Sequence, residues 1–212
     1  MAVAAPVRPV SQHELPMVTG MMGMFIFLGS EVMFFGSLFA AYFYVHLSHA
    51  TWPPPGTFAV EWQPIPAINT IILLSSGVTM HIGHHAIQKG QRQKLVFWLI
   101  VTIVLGALFE VGQGVEFARA YGVSVPLLGS APAIHLDTNV FASTFFAMTG
   151  FHGIHVLGGL CFLLLVLWRT AKGHFDERHH VAVAACAIYW HFVDLVWIFL
   201  FGILYLAVTA VH

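Results

Sequence analysis

MVTGMMGMFIFLGSEVMFFGSLFAAYFYVHL, residues 17–47, decides the fold. Its only charged side chain is Glu31. A helix rising about 1.5 Å per residue crosses the hydrocarbon of a bilayer with about 20 apolar residues, so this run is long enough to cross. Four more runs of the same kind follow, at about 65–88, 95–120, 138–170 and 180–211. The first, fourth and fifth exceed the minimum, which implies tilt or extension beyond the hydrocarbon. No repeat relates the five. The pattern predicts an all-α integral membrane bundle of five transmembrane helices over residues 17–212, preceded by a polar tail, 1–16.

Composition agrees. Of the residues 58% are hydrophobic and 8% charged, with a mean hydropathy of +0.84, against roughly 25% charged in soluble domains. A net charge of −1 and the lack of any basic cluster give no case for nucleic acid. Cys161 and Cys186 both fall in apolar runs, where they read as small hydrophobes rather than a disulfide framework. The tail has no short apolar core or small-residue cleavage site, so insertion is expected to use the first helix itself.

Orientation follows from the cations. Lys89, Arg92 and Lys94 separate the second and third runs, Arg169, Lys172 and Arg178 the fourth and fifth, and Arg8 lies in the tail. Only Arg119 falls at the opposite ends. Cationic loops stay in the cytoplasm, which predicts a cytoplasmic N-terminus and a periplasmic C-terminus. The opposite connections contain Trp52-Pro53-Pro54-Pro55-Gly56 in one case and Pro126, Gly129 and Pro132 in the other, as expected of stiff loops that translocate readily. Trp52 and Trp62 suit the outer interface, Trp98 and Trp168 the inner one.

Ionisable groups inside such runs cost several kcal/mol, so each calls for a partner or a role. Glu31 shares a helical face with Gly20, Met24, Phe27, Phe34 and Leu38, an apolar and aromatic surface. It reads either as a protonated carboxyl bonded to a neighbouring helix or as a group serving a lipid or a proton route. Gln113 and Glu116 sit one turn apart on the third helix, able to act together, while Arg119 offers Glu116 a local ion pair. Glu110 lies deeper without an obvious local partner. The fourth helix carries His152 and His155 and the fifth His191 and Asp194, again one turn apart.

Facing carboxylates and imidazoles can build a bundle metal site, but such sites use Glu-x-x-His, which this chain lacks. The preferred reading is an interhelical hydrogen-bond network, with Gly150, Gly153, Gly158 and Gly159 letting backbones approach. The short link between the last two helices makes them antiparallel neighbours and sets His155 and Asp194 at matching depth. His81, His84 and His85, near the inner end of the second helix, are assigned no chemistry. No phosphate-binding Gly loop, Cys-x-x-Cys pair or nucleophile elbow is present, and the histidines are too few for heme and copper centres.

Six segments in order carry a resemblance: Ser30-Glu31-Val32-Met33-Phe34-Phe35, Trp52-Pro53-Pro54, Asn69-Thr70 with Leu74-Ser75-Ser76-Gly77, Gln113-x-x-Glu116-Phe117, Thr149-Gly150-Phe151-His152-Gly153-x-His155-Val156, and Tyr189-Trp190-His191-Phe192-Val193-Asp194-x-Val196-Trp197. The chain resembles the subunit 3 family of heme-copper oxidases, in its five-helix bacterial form. The resemblance implies a non-redox subunit of a proton-pumping cytochrome c oxidase, a non-catalytic part of that enzyme complex in a cell's inner (plasma) membrane. It would pack directly on subunit 1 and accompany subunit 2, with a small subunit 4 as a further candidate partner. Heme and copper would belong to the partner subunits. In that family the subunit binds phospholipid and sustains proton uptake by the catalytic subunit, and the position matching Glu31 is a buried, carbodiimide-reactive carboxyl. The same subunit of a quinol oxidase, or the accessory subunit of nitric oxide reductase, is the nearest alternative. A small helical transporter is remote, because neither internal repeats nor broken helices are evident.

Overall fold

The computed structural model describes residues 15–52, 54, 64–124, 135–177 and 179–206. Five helices follow in order: α1 (Leu15–Ser48), α2 (Pro64–Gln88), α3 (Arg92–Ala120), α4 (Val140–Ala171) and α5 (Val181–Phe201). A single π-helical turn, Gly202–Leu206, extends α5. Arg8, Trp62, Arg178, Pro53, Pro55, Gly56, Pro126, Gly129, Pro132 and the last residues of the fifth apolar run lie outside the described residues.

Helices α2 and α3 are joined by a three-residue turn. Gly90 takes φ of 70°, which lets its own amide and that of Gln91 donate to Ile87 and Ala86 and close the helix end. Gly173 ends α4 in the same way at φ 83°. The two turns touch, because Arg92 donates to the Ala171 carbonyl at 2.6 Å. Lys89, Arg92, Lys94, Arg169 and Lys172 therefore share one end of the bundle. Arg119 lies at the other, where the Asn139 side chain caps α4 by accepting the Ala142 amide at 2.8 Å.

Packing runs α2 on α3, α3 on α4, α4 on α5 and α5 back on α2, a closed four-helix ring. Helix α1 lies outside it, touching α4 and α5. Most of its side chains face outward, with Met33 77% and Leu47 84% exposed. Four helical stretches, Thr19–Ser48, Arg92–Ala120, Val140–Ala171 and Val181–Leu206, are long and apolar enough to cross a membrane. Helix α2 stands apart from them because it carries Asn69, Thr70, Ser75, Ser76, Thr79, His81, His84 and His85. Several of these bind neighbours. Thr79 meets Thr102 of α3 at 2.8 Å, and Thr70 and Ser76 each accept an indole N–H from α5.

Trp190 shows how the ring closes. Its indole lies in a hollow left by Gly106 of α3 and Gly159 of α4, where added methyls would come within 2.8 and 2.7 Å of the ring. Its N–H donates to Ser76 of α2 at 2.9 Å. One fully buried side chain of α5 thus touches the other three helices of the ring. Of the four glycines expected to bring helices together, Gly153 and Gly159 do so; Gly158 makes an ordinary contact with Tyr189, and Gly150 faces open space. Gly77, Gly106 and Gly112 make further close approaches.

Candidate functional site

The polar groups in the apolar runs fall into separate interhelical contacts. Glu31 leaves α1 toward α4, where its Oε2 lies 2.9 Å from His155 Nε2. The other ring nitrogen, Nδ1, donates to the Phe151 carbonyl at 2.6 Å. A carbonyl only accepts, so Nδ1 bears a proton. The 2.9 Å contact then holds one proton, whether as carboxylic acid with neutral imidazole or as carboxylate with imidazolium. In either form the pair is neutral overall, which suits it to an apolar setting. Phe35 meets the imidazole edge-on at a centroid distance of 4.9 Å and Phe34 stacks near it at 6.0 Å. The Tyr189 hydroxyl of α5 donates to the His155 carbonyl at 2.9 Å, so α1, α4 and α5 converge on one residue.

His155 and Asp194 do not meet. Contacts advance in step up α5 and down α4, from Trp190 on Gly159 to Trp197 on His152 and Tyr205 on Phe145. That register sets Asp194 level with His155, but the two leave their helices on different faces. Asp194 turns to α2, where its carboxylate lies against Gly77, and His191 Nδ1 is 3.8 Å from Oδ2. Its Oδ1 is buried without a hydrogen-bond partner.

His152 is fully buried, tilted against Trp197 at 5.0 Å with Phe109 edge-on at 6.0 Å, and neither ring nitrogen is bonded. Gln113 donates to the Thr149 carbonyl of α4 at 2.8 Å, while its Oε1 and Glu110 Oε1 both lie over Gly153. Glu116 accepts the Tyr205 hydroxyl at 2.8 Å, reached across the bundle by the π-turn. Trp52, at the end of α1, is buried against its neighbours. Its N–H donates to Tyr42 at 3.1 Å and its ring meets Phe141, fastening the end of α1 to the start of α4.

Among the described residues no three His, Cys, Asp or Glu side chains converge as metal ligands. His152 is enclosed by aromatic rings and His155 is committed at both nitrogens. These donors do not fit a heme or copper centre. One grouping escaped the reading of the sequence. His81 of α2 approaches His191 of α5, and His84 approaches His180 just before α5; the one-turn spacing of His81 and His84 was the signal that could have exposed it.

A ring of four packed helices with an outlying fifth, long apolar spans and isolated polar contacts between them defines a helical membrane protein. Residues 7–208 match the family model for cytochrome c oxidase subunit III. Cytochrome c oxidase subunit 3 of Thermostichus vulcanus is 43% identical, covering 92% of this chain and 90% of that protein. The subunit 3 proteins of Anopheles gambiae and Marchantia polymorpha are 42% and 41% identical over 91% and 86% of this chain, and 71% and 66% of their own lengths. The chain belongs to the cytochrome c oxidase subunit III family, whose members are subunits of heme-copper oxidases.

Proposed function

We propose that this chain is the non-redox subunit 3 of a proton-pumping terminal cytochrome c oxidase, crossing a cell's inner membrane five times with its N-terminus in the cytoplasm. It packs on subunit 1, which with subunit 2 holds heme and copper, and a small subunit 4 joins the assembly. It supports assembly, binds phospholipid and sustains proton uptake by the catalytic subunit. The observation that carries the reading is the family match across nearly the whole chain. The clustering of five described cations at one bundle end supports the orientation. Helix α2 completes the ring between α3 and α5, which favours counting it as a fifth span. Glu31, joined to His155, is the carboxyl proposed for the lipid- or proton-related role.

The test is the optical spectrum of the complex that purifies with this chain. Heme a bands together with a partner bearing a dinuclear copper site are the expected result. A complex lacking heme a, or one whose second subunit lacks copper, would overturn the cytochrome c assignment in favour of a quinol oxidase or nitric oxide reductase. Reaction of Glu31 with a hydrophobic carbodiimide in that complex tests the role given to the carboxyl.

A further inference from the structure

The contact between α3 and α4 opens outward as a groove with two unanswered oxygens. Ala107, Glu110 and Gly114 line it from α3 at i, i+3, i+7 spacing, and Gly150, Gly153 and Leu157 repeat that spacing on α4. Glu110 Oε1 and Gln113 Oε1 lie 3.1 and 3.3 Å from the point where a side chain on Gly153 would begin. Side chains begun at Gly114 and Gly150 would meet nothing within 4 Å. Ala107 and Gly114 are exposed, and Leu157 is 49% so. The two helices therefore close on each other at Gly153 and leave a shallow channel beside Glu110.

Both oxygens sit deep. Glu110 lies ten residues before the end of α3 at Ala120, which is about 15 Å along the helix, or about half the thickness of the hydrocarbon. Its Oε2 is buried without a hydrogen-bond partner. So is Oε1 of Gln113, a residue only 4% exposed whose amide nitrogen is already given to the Thr149 carbonyl. The nearest cation along α3, Arg119, stands nine residues on. On α4, His152 turns inward to Trp197 and His155 is taken by Glu31. Bare oxygens in hydrocarbon are costly, and acyl chains donate nothing to them. A donor at this depth has to be carried in by another helix, and small residues at the seat let that helix come close.

We infer that the α3–α4 groove seats a membrane-spanning helix of a partner subunit, which presents an arginine or lysine to Glu110 and Gln113. The inference rests on the reading of this chain as one subunit of a larger membrane complex. Two acceptors on successive turns call for a group with several N–H donors, which both cationic side chains supply. The carboxyl sets the sign, since ionised groups inside a bilayer pair with one another. Glu110 fixes the depth at which the partner is held, and Ala107, Gly114 and Gly150 fix how closely its backbone approaches.

The test is made on the intact complex. Gly114→Leu and Gly150→Leu fill the channel with side chains that this chain alone accommodates. Together they should lower retention of the chain by the washed complex about tenfold, the usual scale of overpacking. Glu110→Gln keeps the shape and loses the charge, so it should lower retention as well. A benzophenone side chain introduced at Leu157 should cross-link to a partner segment that contains an arginine or lysine, identified by mass spectrometry. Where the leucine variant fails to accumulate, that cross-link carries the test. Full retention of the double leucine variant would overturn the docking, while the heme spectrum of the unaltered complex would still support the subunit reading. Cross-links to lipid alone, or to a second copy of this chain, would overturn it too, and retention unchanged by Glu110→Gln would overturn the cationic partner.

Discussion

The Asp194 carboxylate lies where a side chain at residue 77 would begin, so the glycine of α2 and the aspartate of α5 are a matched pair. Asp194 is short, buried and flanked by His191, and it has little room to swing aside. Gly77→Ala should force α2 and α5 apart at a cost of about 1–3 kcal/mol, the usual range for overpacking. The check is the thermal midpoint of the purified complex and its retention of this subunit. An unchanged midpoint would show that the carboxylate relaxes freely.

Glu31 and His155 share one proton, which predicts an ordered series of substitutions. Glu31→Gln supplies an N–H to the imidazole and should leave the docking of α1 nearly intact. Glu31→Ala leaves Nε2 unpartnered and should cost about 1–2 kcal/mol. Detergent-induced unfolding of both variants measures this. Equal losses in the two would mean that the contact contributes through packing alone.

Trp190 offers a test of coupling. Gly159→Ala drives a methyl into the six-membered ring of the indole and should cost about 1–3 kcal/mol. Trp190→Phe removes the Ser76 hydrogen bond, worth about 1 kcal/mol, together with part of that ring. Combined, the two should cost less than their sum, because phenylalanine vacates the space that the methyl needs. A double-mutant cycle measures the difference, and strict additivity would contradict the packing described.

Tyr205→Phe should release the end of α5. It leaves the Glu116 oxygen without the hydroxyl at 2.8 Å, with an expected loss of about 1–2 kcal/mol. Limited proteolysis from the C-terminal side should become faster in the variant, and an unchanged rate would show that the π-turn is held by packing.

The helices were legible because lipid forces each spanning segment to satisfy its own backbone, leaving long apolar runs as the trace. Depth was legible too. His155 and Asp194 stand level because rise per residue fixes height. Direction was not, since the face a side chain takes depends on which helices flank it, and sequence spacing says nothing of that. His155 went to α1 and Asp194 to α2. The grouping of histidines escaped for a related reason. The α2 histidines share one end of their helix, while the rings that meet two of them, His180 and His191, come about a hundred residues later.

Among the described residues helix α1 rests chiefly on α4 and α5, and this arrangement sets an order on biosynthesis. The carboxyl of Glu31 enters the membrane first, while the imidazole that receives it follows 124 residues later. At about 5–20 residues per second, translation leaves that carboxyl without its partner for roughly 6–25 s. During that wait α1 needs a temporary host, whether the insertion machinery or a lipid headgroup. Helix α1, made before both helices it rests on, is therefore late to find its seat, and a ribosome that stalls before α4 emerges would release a fragment with a carboxyl stranded in oil.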